Sequence, residues 1–162
     1  MALIGGIDPG LNGAFAVYDT AAEALVGAWD MPVFARLVNR RERKRLDAVA
    51  IYNTLTSFET MGVEVMWIED VAGRGNQIGG ATLSFGVGMI HGICTAIRLR
   101  LEAVAPGTWK ARMRAPAGKE GATQRAEALF PRQRGLFRGP HGGKLDGRAE
   151  AAMIALYGVT RL

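Results

Sequence analysis

Residues 2–7 (ALIGGI) and 13–18 (GAFAVY) are two short apolar runs separated only by Asp8, Pro9, Gly10, Leu11 and Asn12. Strand-length apolar runs joined by so tight a connection read as a hairpin, and Asp8 stands at its mouth. Residues 24–31 extend the pattern through Leu25, Val26, Ala28 and Trp29 before Pro32 stops the run. The start of the chain is therefore expected to be a three-stranded antiparallel meander, followed at residues 36–45 by an exposed basic loop.

Beyond that loop the hydrophobic period changes. Between residues 47 and 61 the apolar positions Val49, Ile51, Tyr52, Leu55, Phe58 and Met61 recur at near-helical spacing, and Gly62 is placed to end the helix. Residues 63–71 are rich in Val, Met, Trp and Ile and read as a buried strand with Glu69 near its end. Alternation sends the neighbouring Asp70 to the opposite face. Residues 79–101 form the next helix, where close backbone packing is the expected reason for Gly80, Ala81, Ser84, Gly86, Gly88 and Gly92. A short strand over 102–105 meets Pro106, and Thr108 is placed to cap a brief helix carrying Trp109 and Lys110. Residues 123–130 read as another helix, and residues 131–143, rich in Pro, Arg and Gly, as a mobile basic loop. The last helix, 146–157, carries Asp146 and Glu150 one turn apart on one face. This order of elements is an α/β layout with a mixed sheet, in a single domain over residues 1–162.

Composition narrows the chemistry. A chain of 162 residues can bury a real core, and 20 Lys and Arg against 15 Asp and Glu, a net charge of +5, favour an anionic partner such as nucleic acid. Cys94 is the single cysteine, which excludes an intramolecular disulfide and a thiolate zinc cluster; two histidines leave little for an imidazole site. Any metal must be held by carboxylates. The first residues lack the basic segment and cleavage site of a signal peptide, and residues 78–99 are too polar and glycine-broken for a membrane span. A reducing, cytoplasmic setting is expected.

Asp8, Glu69, Asp146 and Glu150 are far apart in sequence, yet two strand ends and the first turns of the last helix can bring them to one end of the sheet. Four carboxylates held together repel one another and raise their pKa values unless cations neutralise them. Mg²⁺ suits such oxygen ligands, with Mn²⁺ able to substitute, and a pair of ions about 3.5–4 Å apart can serve phosphodiester hydrolysis without a protein nucleophile.

The chain resembles the RuvC-like Holliday-junction resolvases of the ribonuclease H-like superfamily. The resemblance runs through Gly6, Ile7, Asp8, Pro9 and Gly10, then Trp67, Ile68, Glu69, Asp70 and Val71, and ends in Asp146, Gly147, Arg148, Ala149, Glu150 and Ala151. The segment from Ala105 to Lys110, with Lys119 and Gly121 downstream, is similar to that family's lysine region. The resemblance implies a ribonuclease H-like fold with a mixed five-stranded sheet flanked by helices. It also implies that Asp8, Glu69, Asp146 and Glu150 are catalytic acids holding two Mg²⁺ ions, and that Lys110 and Lys119 contact junction DNA. The implied reaction is paired, symmetrical nicking of four-way DNA junctions by a homodimer, leaving 5′-phosphate and 3′-hydroxyl ends. Two departures stand out. Bacterial members space the last two acids three apart, whereas Asp146 and Glu150 are four apart, closer to the phage and plastid branches. Bacterial members also carry an aromatic three residues after the strand Glu, where this chain has Ala72; Phe85 and Arg74 are candidates for opening the junction core in its place.

Outside the acids, Arg40, Arg41, Arg43 and Lys44 are candidate phosphate contacts that need no base readout. A second basic stretch, Arg132, Arg134, Arg138, His141 and Lys144, precedes Asp146, with Lys144 a DNA contact and His141 a candidate proton carrier. Trp109 is expected to pack over the sheet, and Cys94 to lie in the core. Two other readings stay open: an actin-like ATP-binding protein, which also opens on a strand and an Asp, and a structure-specific branched-DNA binding module that does not cut.

Overall fold

The computed structural model describes residues 1–71, 80–116 and 118–162. Strands β1 (Leu3–Asp8), β2 (Ala14–Asp19) and β3 (Ala24–Asp30) form the expected antiparallel meander. The chain then makes β4 (Val33–Val38) and β5 (Arg41–Leu46), the helix α1 (Ala48–Met61) and β6 (Val63–Glu69). After α2 (Gly80–Ala96) come β7 (Leu101–Val104), α3 (Pro106–Met113), α4 (Lys119–Leu129), a 3₁₀ segment (Pro131–Phe137) and α5 (Asp146–Val159). Five strands make one mixed sheet in the order β3-β2-β1-β6-β7, with β6 parallel to both β1 and β7.

Helices cover both faces of this sheet. Ile7, Phe15, Val17, Met66 and Ile68 pack with Ile51, Leu55 and Phe58 of α1 and Ile90 and Cys94 of α2. On the other face Ala14, Ala16 and Tyr18 meet the alanines of α5 together with Ala126, Phe130 and Phe137. Asp47 caps α1 as its side chain accepts from the Ala50 N–H, and Gly62 closes the helix at φ 88°.

Several expectations need correction. Residues 36–45 are not a loop but the β4–β5 hairpin, a separate two-stranded sheet. Its charge count hid a period-2 pattern, Val33, Ala35 and Leu37, and Asn39 and Arg40 turn the chain at φ 50° and 60°. The helix expected to reach 101 ends at Ala96; Arg98 takes φ 61°, and Leu101 belongs to β7. Of its glycines, Gly86 packs closely, its absent Cβ lying 2.6 Å from Leu46, but Gly88 and Gly92 have nothing within 4 Å. Thr108 lies inside α3, which starts at Pro106 without a side-chain cap. The supposed mobile loop is anchored: Phe137 is fully buried, and the Gln133 amide both donates to and accepts from the Leu25 backbone.

Candidate active site

Parallel pairing of β1 with β6, with Ile7 opposite Ile68, sets Asp8 and Glu69 side by side at the carboxyl ends of adjacent strands. Alternation turns both toward the α5 face, because Ile7 and Ile68 occupy the opposite one. What brings the other two acids there is small-residue packing. A Cβ on Gly6 would lie 2.1 Å from the Ala151 carbonyl oxygen, and one on Gly147 would lie 2.3 Å from the Asn12 carbonyl oxygen. At the far end Gly158 sits against Trp67 and Ile4. Helix α5 therefore runs antiparallel to β1 in near-backbone contact, and its first turns deliver Asp146 and Glu150 over the strand ends. Carboxylates on a helix's first turns also meet its positive end.

Asp8 and Glu150 both feel the charges of the other acids. Burial first, and then the nearby charges of Glu150, Glu69 and Asp146, together push the Asp8 carboxyl up to about 7, against a backbone N–H from Gly10. Glu150 is also raised, first by burial and then by Glu69 and Asp146, with Lys110 opposing.

Helix α3 supplies two neighbours to this cluster. The fully buried Trp109 donates its indole N–H to Glu69 Oε2 at 2.9 Å. Its neighbour Lys110 places Nζ 3.4 Å from Glu150 Oε1 and 5.0 Å from the Trp109 ring centre. The packing role expected of Trp109 is thus joined by a positioning role that burial alone would not reveal, since only the strand–helix geometry shows which carboxylate the indole meets. Among the described residues no three acids close into a ready-made cation cage. The donor set nevertheless fits a hard divalent ion. All four ligand candidates are carboxylates, and Glu150, Glu69 and Asp146 each add to the rise that burial gives Asp8.

Beside the acids lies a cleft of about 390 Å³ lined by Leu11, Asn12, Asp30, Lys44, Lys144, Asp146 and Arg148, among others. Lys44 and Lys144 therefore reach the cleft, as a phosphate contact requires. Lys144 also pairs with Glu120, and Arg148 forms a two-pronged ion pair with Asp30, at 2.6 and 2.9 Å. Arg138 is likewise engaged by both oxygens of Glu127, and Arg134 donates to the Glu127 carbonyl. Much of the second basic stretch is thus committed to the chain's own structure; His141 is exposed on the loop beyond. Arg41 and Arg43 lie on β5 and Arg40 in the turn of the hairpin. Phe85 is 70% exposed on α2. Ala72, Arg74 and the side chain of Lys119 lie outside the described residues.

No protein-family model and no curated protein sequence matches the chain. Solved structures do. The Thermus thermophilus RuvC in complex with Holliday junction substrate matches at a TM-score of 0.61 and 15% identity, over 96% of this chain and 91% of that one. The fold is RuvC-like. The fowlpox virus Holliday junction resolvase matches at 0.57 and 18%, over 99% of each chain, and a second Thermus thermophilus RuvC structure at 0.54 and 14%, over 98% and 96%. The mixed five-stranded sheet flanked by helices is thus the ribonuclease H-like arrangement that the sequence resemblance implied. No helix among the described residues is long and apolar enough to cross a membrane.

Proposed function

We propose that this chain is a divalent-cation-dependent endonuclease that resolves four-way DNA junctions, acting as a single-domain nuclease in a two-fold homodimer. The observation that carries this reading is the coupling of Asp8, Glu69, Asp146 and Glu150 at the carboxyl ends of β1 and β6 beneath the first turns of α5. Two Mg²⁺ ions held by these carboxylates would supply an activated water and neutralise charge on the attacking and leaving oxygens.

The chain's own residues do the rest. Trp109 fixes the orientation of Glu69, and Lys110 holds Glu150 while offering positive charge at the rim. Lys44 and Lys144 line the cleft through which a phosphodiester strand reaches the acids. No protein nucleophile is needed, and hydrolysis leaves 5′-phosphate and 3′-hydroxyl ends. Two opposed cuts require two sites, and the outer face of α2, where Phe85, Gly88 and Gly92 are exposed, is the surface we assign to the second copy.

The test is cleavage of a labelled four-way junction beside a linear duplex, in Mg²⁺ and in chelator, by wild type and Asp8→Asn. Symmetrical, metal-dependent nicks on the junction alone, lost in the variant, are expected. Tight junction binding with no cut in Mg²⁺ or Mn²⁺ would replace the nuclease by a binding module. Sedimentation as a two-chain species checks the pairing.

A further inference from the structure

Helix α5 reaches the acids with a bare start. Its N-cap position is Leu145, which makes no side-chain cap, so no capping bond fixes the turn that carries Asp146. Packing of Gly147 against Asn12 and Gly13 sets how closely that turn approaches the strand ends. Closeness alone does not set rotation about the helix axis. Rotation matters because side-chain ends stand about 5–6 Å from the axis, so a turn of about 10° carries a carboxylate about 1 Å sideways.

Two ion pairs grip this turn from opposite sides. Lys110 of α3 places Nζ 3.4 Å from Glu150 Oε1. Arg148 donates its Nε–H to Asp30 Oδ1 at 2.6 Å and a terminal N–H to Asp30 Oδ2 at 2.9 Å. In the sheet order β3-β2-β1-β6-β7, Asp30 ends β3 on one side of β1, whereas α3 follows β7 and bonds to Glu69 of β6 on the other. On the helix itself Arg148 is about 160° round the axis from both Asp146 and Glu150. It therefore stems from the flank opposite the acids, and a fork held by both oxygens fixes angle as well as distance.

Stability is a poor reason for this pair. The Asp30 side chain is 60% exposed and that of Arg148 25%, and pairs so open to water add little to folding. Position is a better one, because groups that orient metal ligands change metal affinity by about 10- to 100-fold when lost. We propose that Asp30 is a positioning residue for the metal-binding acids: through Arg148 it fixes the rotation of the first turn of α5, and so where Asp146 and Glu150 stand over Asp8 and Glu69. This rests on the reading above of those four acids as ligands of a divalent cation. It gives a role to a carboxylate outside the four, and to an arginine whose charge alone would oppose a cation.

The experiment follows stabilisation by Mn²⁺, which needs no turnover. Tm is measured against Mn²⁺ concentration for wild type, Asp30→Asn, Arg148→Gln and the double variant, with junction cutting measured alongside. Each single variant should raise the Mn²⁺ concentration for half the Tm rise about tenfold, the double variant should add no more, and Tm in chelator should move by less than about 2 °C. Charge acting through space predicts opposite signs instead, since loss of Asp30 would weaken cation binding and loss of Arg148 would tighten it. A tighter or unchanged midpoint in Arg148→Gln, an unchanged one in Asp30→Asn, or additive losses in the double variant would therefore overturn the proposal. A Tm in chelator lowered by more than about 5 °C in either single variant would make the pair a bond of the fold, and would overturn it too. Absence of any Mn²⁺-induced rise in wild type would remove the ligand reading and the proposal with it, whereas a rise that the variants leave unaltered removes the proposal alone. A rise without nicks would fail the nuclease and leave the positioning role standing.

Discussion

The carboxylate end of the sheet and the basic hairpin are built on opposite principles. At the acids, helix and strand approach until backbone touches backbone: Gly6 lies against Ala151 and Ala155, and Gly147 against Asn12 and Gly13. The hairpin meets the body through Val33, Lys44 and Leu46, borders a second cavity with Leu11 and Thr82 through Val38 and Arg43, and leaves Phe34 46% and Leu37 73% exposed. On the proposed reading the acids are reacting groups, which must be held to fractions of an ångström, and they sit on elements that cannot shift. Phosphate contacts made by long side chains tolerate movement, so for the DNA contacts proposed on the hairpin an arm with little core of its own would suffice.

The largest effect should come from breaking the rigid end. Gly6→Val puts carbon into the Ala151 carbonyl and the Ala155 amide, neither of which can move without displacing α5. We expect a loss of about 3 kcal/mol or more, a fall in Tm of about 10 °C, and loss of cutting. The matching change on the arm, Leu37→Ser, should stay within about 0.5 kcal/mol. Equal losses from the two by thermal unfolding would dissolve the contrast.

Next is Asp8→Asn, expected to lower cutting by about a hundredfold or more while leaving junction affinity unchanged or improved, measured by gel assay and anisotropy. The same variant has a second readout. Because the folded carboxyl titrates near 7 and an unfolded one near 3.8, the native state binds its proton more tightly. Stability in chelator therefore falls as pH rises from about 4 to 7 and levels off above. Asp8→Asn should flatten that slope and raise Tm by several degrees at pH 8. A lower Tm there would show that Asp8 is not the strained member of the cluster.

Much of the rigid end was legible in the chain. The acids at the end of a first strand and a later one, and one turn apart on the last helix, are positions that periodicity reveals, and the meander and mixed sheet follow from the same reading. The hairpin was not legible as a hairpin, because six basic residues between 36 and 45 masked a strand alternation whose apolar members are exposed rather than buried. Nor could pattern reveal pairings set by tertiary approach, such as Arg148 with Asp30, 118 residues apart, or Trp109 with Glu69. Gly88 and Gly92 show the converse: glycines in an apolar helix read as signs of close approach, yet nothing lies within 4 Å of either one's Cβ position.

Trp109→Phe probes the rigid end more gently. It keeps the buried ring but removes the indole N–H that Glu69 accepts. Loss of a buried hydrogen bond to a charged group is expected to cost about 1.5–3 kcal/mol, and metal affinity, read by the Mg²⁺ concentration for half-maximal cutting, should weaken about tenfold or more. Destabilisation without a shift in the Mg²⁺ requirement would assign Trp109 to packing alone.

The smallest expected effect lies at the tip of the arm. Asn39 and Arg40 both have positive φ, at 50° and 60°, the geometry of a two-residue turn that favours Asn followed by Gly. Arg40→Gly should relieve the strain at the second position and stabilise the hairpin locally by about 0.5–1 kcal/mol. If the arm is as weakly tied to the core as its exposed strands indicate, amide exchange should slow in β4 and β5 while global Tm moves by less than about 1 °C. A rise in global Tm equal to the local gain would mean that arm and core unfold together, and that the arm is part of the rigid framework after all.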